Sequence, residues 1–423
     1  MQFATTSASS VRSTVEQSSR PLLSAIDRFA AWLEINGYES YDPYDLSGTR
    51  YGVFARRLYY RKHPLGKALV APMLLLEMFC PGVRMALVRK QRFATADAQL
   101  ALAFLNLYSV TRDARYLREA RQLATDLLES SIPGYSGHCW GYPFDWENNH
   151  GLWKKNTPFI TATPYCFEVF LGLFDATGDK SYFEIARSIA EFVHKDLHDT
   201  PKSEDAAAGS YSPNDHTEVL NASAYRAMVL FEAAARFGDD AYRLTAQKNL
   251  NFILQNQRED GAWLYALDHQ SNRFIDHFHT CFVLKNLFKL NRRLRSDAVS
   301  ASIRKGFDYY QRELFDERGL PKNFALEPRR QIVRLEMYNF AEAITLGALL
   351  QDEIPAAYEL AQRLAHLLIE DYQLPQGYFV TRIYFGGFDH TLPFLRWPQA
   401  QLFYSLTNLL LTMNPPRETQ SAA

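Results

Sequence analysis

Two stretches of the chain set proton-moving groups beside flat aromatic rings. In FDWEN, Asp145 and Glu147 are flanked by Trp140, Tyr142 and Trp146. A carboxyl group desolvated among rings can have its pKa raised and act as a general acid, and two carboxyls across a bond are the apparatus of glycoside hydrolysis. The plainer reading of Asp145 is a helix cap or a loop anchor. FIDHFHT supplies Asp276, His277 and His279. Imidazole titrates near neutral pH, so two histidines beside an acid suit acid/base catalysis. In extended chain the histidines share one face and Asp276 the other, whereas a helical start divides them differently. The plainer reading here is a histidine packed and hydrogen-bonded in the core. No third ligand motif accompanies the pair, so neither a metal nor another cofactor is expected.

Other candidates suit binding. Trp140 and Trp146 can serve as sugar platforms, and Trp263 in EDGAW is expected to face a cavity while Asp260 shapes a turn with Gly261. His216 stands between Asp215 and Glu218, acids that would also favour the N-terminus of the helix expected after them. Glu336 and Tyr338 open an expected inner helix. Arg396, next to Trp397 in LRWPQ, can clamp a uronic carboxylate or a phosphate with two parallel bonds, or pair with a loop acid.

The elements that must position these groups show themselves as a repeat. Three segments run helix, acidic turn, tyrosine, helix, with turns TRDARY, TGDKSY and FGDDAY. Asp113, Asp179 and Asp239 are 66 and 60 residues apart, and Tyr116, Tyr182 and Tyr242 keep the same offset. Each unit is an αα-hairpin plus a loop; the aspartate can cap the second helix and the tyrosine can cover the hairpin end. First helices over 99–110, 166–176 and 222–236 are apolar nearly all round, as for covered helices. Second helices over 116–130, 182–197 and 242–255 place apolar groups at i, i+3, i+4 and i+7, as for a half-exposed outer ring. Further helices are expected over 280–290, 296–314, 338–350, 355–370 and 398–413. With a partner from the N-terminal part this makes about six hairpins in two concentric rings, an all-α (α/α)6 toroid occupying residues 21–415 as one domain. Residues 1–20, rich in Ser and Thr, and 416–423 read as tails.

The loops that join one hairpin to the next are long and aromatic, and they carry the candidates above. Aromatic faces with convergent carboxylates, amides and Arg suit a sugar, whose C–H faces stack while its hydroxyls bond to polar groups. Composition agrees with a large core. The chain has 423 residues, 47% of them hydrophobic and 22% charged, which excludes a mostly disordered chain. Its formal net charge of −1 provides no global field for nucleic acid. There is no GxGxxG after a strand, no P-loop, no GxSxG and no HExxH, so nucleotide, serine-hydrolase and zincin chemistry lack support.

Four scattered cysteines, Cys80, Cys139, Cys166 and Cys281, form no metal or disulfide pattern, and the first twenty residues lack the apolar run of an export signal. A cytoplasmic location is expected. The longest apolar stretch, 68–88, is broken by Pro72, Glu77, Pro81 and Arg84, which argues against a membrane span. Between residues 56 and 92, however, nine Lys or Arg accompany a single acid, Glu77. This segment reads either as a peripheral membrane contact or as a buried helix with a basic rim.

The hairpin repeat, together with CWGYPFDW, SYSPNDHTEVLNAS, QREDGAWLYA, FIDHFHT and RWPQAQ, resembles the six-hairpin glycosidase and terpenoid-cyclase-like toroid superfamily. YDPYD at 41–45 adds a similarity to bacterial proteins of this shape associated with exopolysaccharide and capsule biosynthesis. The acid-rich DxDD of terpene cyclases is absent. The resemblance implies a carbohydrate-active enzyme working on an oligosaccharide or polysaccharide during polymer assembly. Three readings follow: a glycoside hydrolase using Asp145, Glu147 or Asp276; an epimerase or lyase using His277 or His279 with Tyr338 and Arg396; or a non-catalytic glycan-binding or scaffold subunit.

Overall fold

The computed structural model describes residues 5–148, 151–268, 273–328 and 331–415. It opens with α1 (Thr5–Asn36), α2 (Arg50–Tyr60), α3 (Pro64–Phe79) and the single turn α4 (Arg84–Leu87). Five helical hairpins follow: α5 (Ala94–Thr111) with α6 (Ala114–Glu129), α7 (Thr163–Thr177) with α8 (Lys180–Lys195), α9 (Leu220–Phe237) with α10 (Asp240–Gln255), α11 (His277–Leu294) with α12 (Asp297–Glu313), and α13 (Met337–Leu349) with α14 (Pro355–Tyr372). The last helix, α15 (Ala400–Met413), packs between α13 and α5 and closes the inner ring. Its outer partner is α1, from the other end of the chain, so the N-terminal part completes the sixth pair of an (α/α)6 toroid. Residues 5–20, expected as a tail, continue this helix, in keeping with the small cost of extending a helix already nucleated by packing. Residues 1–4 and 416–423 lie outside the described residues.

The two rings differ as the hydropathy pattern predicts. In α5 every residue from Ala96 to Leu105 is buried, while α6 buries one stripe, Tyr116, Ala120, Leu123, Ala124 and Leu127. The hairpin ends are built by the repeated turn. Asp113, Asp179 and Asp239 accept the backbone N–H of Arg115, Ser181 and Ala241, each at 2.9 Å, capping the outer helix. In two of these turns the inner helix ends on a glycine at positive φ, Gly178 at 72° and Gly238 at 73°, a conformation that costs a side-chain-bearing residue more. The turn tyrosines lie against the hairpins, Tyr116 on Phe104 and Tyr182 on Phe170.

Because each outer helix returns the chain to the same end, all six inner helices run parallel. Their N-termini and the long loops share one mouth of the ring. The loops carry short antiparallel strands that stiffen them: β1 (Trp146–Asn148) with β2 (Gly151–Trp153), β3 (Asp199–Pro201) with β4 (Ala207–Gly209), β5 (Ile275–Asp276) with β6 (Phe324–Leu326), and β7 (Val333–Glu336), β8 (Arg382–Tyr384) and β9 (Asp389–His390) in one sheet. The ring axis is closed by a buried polar knot. Lys285 pairs with Glu342, whose carboxylate also accepts from Gln401 at 2.7 Å; Gln401 donates to the Tyr338 hydroxyl at 2.8 Å. Burial alone would lower the Lys285 pKa, but Glu342 beside it raises it, so the ammonium stays charged.

Candidate active site

The loop mouth holds a cavity of about 720 Å³ walled by the first turns of the inner helices and by the loops. Its acid/base group is made where β5 passes into α11. Asp276 caps the helix, accepting the His279 N–H at 3.1 Å, and its other carboxylate oxygen lies 2.7 Å from His279 Nδ1. One residue thus fixes the helix start and the imidazole three positions on. Asp276 is buried, whereas the His279 side chain is 21% exposed. With Nδ1–H donated to Asp276, Nε2 is the nitrogen left for a bound molecule. The Tyr265 ring packs on the imidazole at 4.5 Å and Phe278 at 4.3 Å. Among the described lining residues Asp276 is the only carboxylate.

The walls are aromatic. Tyr338 and Trp397 stack at 3.7 Å and 8°, and Trp146 stands edge-on to Tyr142 at 5.5 Å. Arg396 lies under this wall, with its guanidinium 4.7 Å from the Tyr142 ring centre and 5.4 Å from that of Tyr44. Its fork is already taken, since both Asp42 oxygens accept from it, at 2.5 and 2.8 Å. This is the loop-acid pairing, and it leaves no free two-pronged site for a uronate. Asp42 belongs to YDPYD, and Asp45 of the same motif pairs with buried Arg84, so the motif ties the N-terminal segment to the last loop. Burial raises the hydroxyl pKa values of Tyr142, Tyr211, Tyr265 and Tyr338, so these lining tyrosines stay protonated as hydrogen-bond donors.

Seven expected residues lie elsewhere. Asp145 accepts the Lys155 N–H at 2.8 Å and anchors the β1–β2 loop; Glu147 pairs with Arg57 of α2 at 3.2 Å; neither lines the cavity. His277 is fully buried, its Nδ1 3.3 Å from the Leu314 carbonyl and its Nε2 accepting from Tyr310 at 2.7 Å. Burial lowers its pKa from 6.5 to about 3, which keeps it neutral. Trp140 and Trp263 are buried wedges whose Nε1–H groups donate to carbonyls of the preceding outer helices, Leu127 at 2.8 Å and Ile253 at 3.0 Å. They are therefore not platforms in this cavity. His216 is exposed and packs near His198, away from the lining. Asp215 gathers the N–H groups of Tyr211, Ser212 and Thr217 and organises its loop; Asp260 accepts the Ala262 N–H at 3.1 Å in the expected turn. Glu336 lies just behind the wall, paired with Arg382 across the β7–β8 ladder at 3.3 Å. Burial raises its pKa and Arg382 opposes the shift.

The structure also brings in residues not singled out as candidates: Tyr44, Tyr211 and Tyr265, which lie inside the quoted motifs, and Tyr59, Tyr60 and Lys62, which lie outside them. A signal existed for Tyr265, because WGY at 140–142 and WLY at 263–265 place a buried wedge two residues before a cavity tyrosine. Tyr165 and Tyr225 repeat at 60 residues, the spacing of Asp179 and Asp239, and their hydroxyls meet at 3.1 Å. The described residues contain no group of three or more His, Cys, Asp or Glu that could hold a metal ion.

No protein-family model and no curated protein matches the chain. Solved structures do. An inactive variant of the α-1,6-mannanase of Salegentibacter sp. HEL1_6 in complex with α-1,6-mannotetrose aligns at 14% identity over 77% of this chain and 91% of its own, with a TM-score of 0.57. A sugar epimerase from a ruminal bacterium aligns at 13% identity over 75% and 87%, TM-score 0.56. A D-mannose isomerase aligns at 12% identity over 76% and 86%, TM-score 0.57. At these identities the likeness is one of fold: the chain shares its (α/α)6 toroid with these structures.

Proposed function

We propose that the protein is a carbohydrate-active enzyme that moves a proton at a sugar carbon, in the manner of an epimerase or isomerase, with His279 as the base. The observation that carries this reading is the Asp276–His279 pair facing an aromatic cavity in which, among the described residues, Asp276 is the only carboxylate. Glycoside hydrolysis needs two carboxyl groups flanking the bond. Asp145 and Glu147, the candidates for the second, are committed to loop and helix contacts. A general base needs an imidazole held in one tautomer, and Asp276 holds it.

In this mechanism the sugar's apolar face lies on the aromatic wall. His279 Nε2 takes the proton from the carbon next to a carbonyl, and the C–H electron pair becomes the enediolate double bond as the carbonyl oxygen gains charge. Protonated tyrosine hydroxyls such as Tyr265 donate to that oxygen, and the Asp276 carboxylate stabilises the imidazolium. The same nitrogen then returns the proton, either to the neighbouring carbon, with the hydroxyl proton passing from one oxygen to the other through the tyrosine hydroxyls, for an aldose–ketose interchange, or to the original carbon for exchange; inversion there requires the intermediate to turn its other face to His279. The sugar epimerase and mannose isomerase that share this fold support a sugar as substrate. A place in polysaccharide assembly in the cytoplasm forms part of the proposal and rests on the sequence resemblance and on four unpaired cysteines.

The test is incubation in D2O with hexoses, N-acetylhexosamines and neutral and uronate-containing oligosaccharides, read by NMR and mass spectrometry. The expected result is deuterium at a carbon adjacent to a carbonyl in wild type and none with His279→Gln. Shortened chains produced equally by both proteins would overturn the reading in favour of hydrolysis, and binding without any exchange would favour a scaffold.

A further inference from the structure

We propose that α3 and α4 dock the protein on an anionic membrane surface, setting the aromatic mouth beside the lipid headgroups. The segment is folded inside out. Of the sixteen residues of α3, only Gly66 and the acid Glu77 are buried, while Leu65, Leu74, Leu75 and Phe79 are exposed. Past a sharp bend of 108°, Val83, Met85 and Leu87 are exposed and it is Arg84 that is buried, paired with Glu77 and Asp45. Of the fifteen exposed large apolar side chains among the described residues, nine fall between Tyr51 and Leu87, and a tenth, Phe388, packs its ring on Phe79. Scattered surface leucines need no explanation, but a contiguous patch marks an interface.

Charge selects the occupant. The patch is bordered by the exposed cations Arg61, Lys62, Lys67, Arg89 and Lys90, and its one nearby acid is inside. An apolar face with a basic rim fits the boundary between acyl chains and anionic headgroups. A second copy would bring one basic rim against another, which disfavours self-association through this face. The segment lies on the membrane: α3 alone is roughly 24 Å long at 1.5 Å per residue, short of the ~30 Å hydrocarbon core, and although Pro64–Phe79 and Pro81–Leu87 are together long and apolar enough, the 108° bend between them keeps them from forming one straight span. No single described helix is long and apolar enough to span. The turn between α2 and α3 ties this face to the site, because Tyr59, Tyr60 and Lys62 line the cavity.

The docking goes beyond the proton-transfer reading and does not depend on it. It is tested by co-sedimentation of the full chain with vesicles of phosphatidylcholine alone and with about 30% phosphatidylglycerol, at about 0.1 and 0.5 M salt. Wild type should bind the anionic vesicles, less at high salt and less to phosphatidylcholine alone. Two triple variants, L74S/L75S/F79S and K67E/R89E/K90E, should each weaken binding about tenfold or more, with unchanged circular dichroism and sugar exchange. Absence of binding to anionic vesicles, binding unchanged in both variants, or a wild-type dimer that the serine variant dissociates would each overturn the proposal.

Discussion

The two mouths of the toroid enclose spaces of similar size and opposite character. The loop mouth holds about 720 Å³ among rings, with one acid/base pair. The other, at the hairpin turns, holds about 1010 Å³, and its charged groups are largely paired with one another. There Glu168 meets Lys289 at 2.5 Å, Arg236 binds Asp175 at 2.6 Å and Glu232 at 2.9 Å, and Arg293 binds Glu232 at 2.7 Å. Arg236–Asp175 and Arg293–Glu232 join neighbouring inner helices, Lys289–Glu168 links α11 to α7, and Arg236–Glu232 lies within α9, so most of this charge is spent on the scaffold. In the loop mouth Asp276 satisfies only one side of His279, and the other nitrogen has room for a substrate. The difference teaches that cavity volume does not make a site; a polar group with an unspent bond, held rigidly beside apolar faces, does.

That contrast can be broken most directly at His279. His279→Gln should lower sugar exchange about 10²- to 10⁴-fold with little change in melting temperature, while Lys289→Gln in the opposite mouth should leave exchange unchanged. Equal losses in both variants would erase the distinction. Next in size is the support of the aromatic wall. Arg396→Met strands the buried Asp42 carboxylate and should cost about 3–5 kcal/mol by urea unfolding, as removal of one partner of a buried pair does.

The pH dependence of folding sharpens the comparison between the two histidines of FIDHFHT. His277 stays neutral in the folded protein down to about pH 3, whereas the unfolded chain protonates it near 6.5. The unfolded state therefore binds more protons between those values. The contribution of His277 is complete above about pH 6.5 and is lost as pH falls toward 3. Urea midpoints should drop across that window, and His277→Gln should flatten the slope while leaving exchange by His279 in place. The smallest effect belongs to the charged mouth: Arg236→Met should cost about 1 kcal/mol or less, because partly exposed pairs contribute little.

The parts of this fold that were legible in the sequence are those set by local rules. The turn aspartates, turn tyrosines and apolar stripes act within a few residues, so the hairpins and the two rings could be read from spacing. The site was only half legible because its decisive fact is a helix boundary. With α11 starting at His277, Asp276 becomes the cap and His279 its partner, while His277 turns into the core; the strand alternation considered for FIDHFHT pairs the two histidines instead. Trp140 and Trp263 misled for a different reason. A tryptophan in an aromatic loop suits a sugar or a core equally, and what decides is an outer-helix carbonyl reached across ten or more residues. Arg396 found its acid in Asp42, 354 positions away, a pairing that no local pattern announces.

The most direct test of the central claim is a crystal structure of the protein soaked with a sugar that exchanges deuterium in its presence. The account predicts the sugar in the loop mouth, against the Tyr338–Trp397 wall, with the exchanging carbon about 3–3.5 Å from His279 Nε2. A sugar bound among the ion pairs of the opposite mouth, or beside Asp145 and Glu147 with His279 untouched, would contradict it.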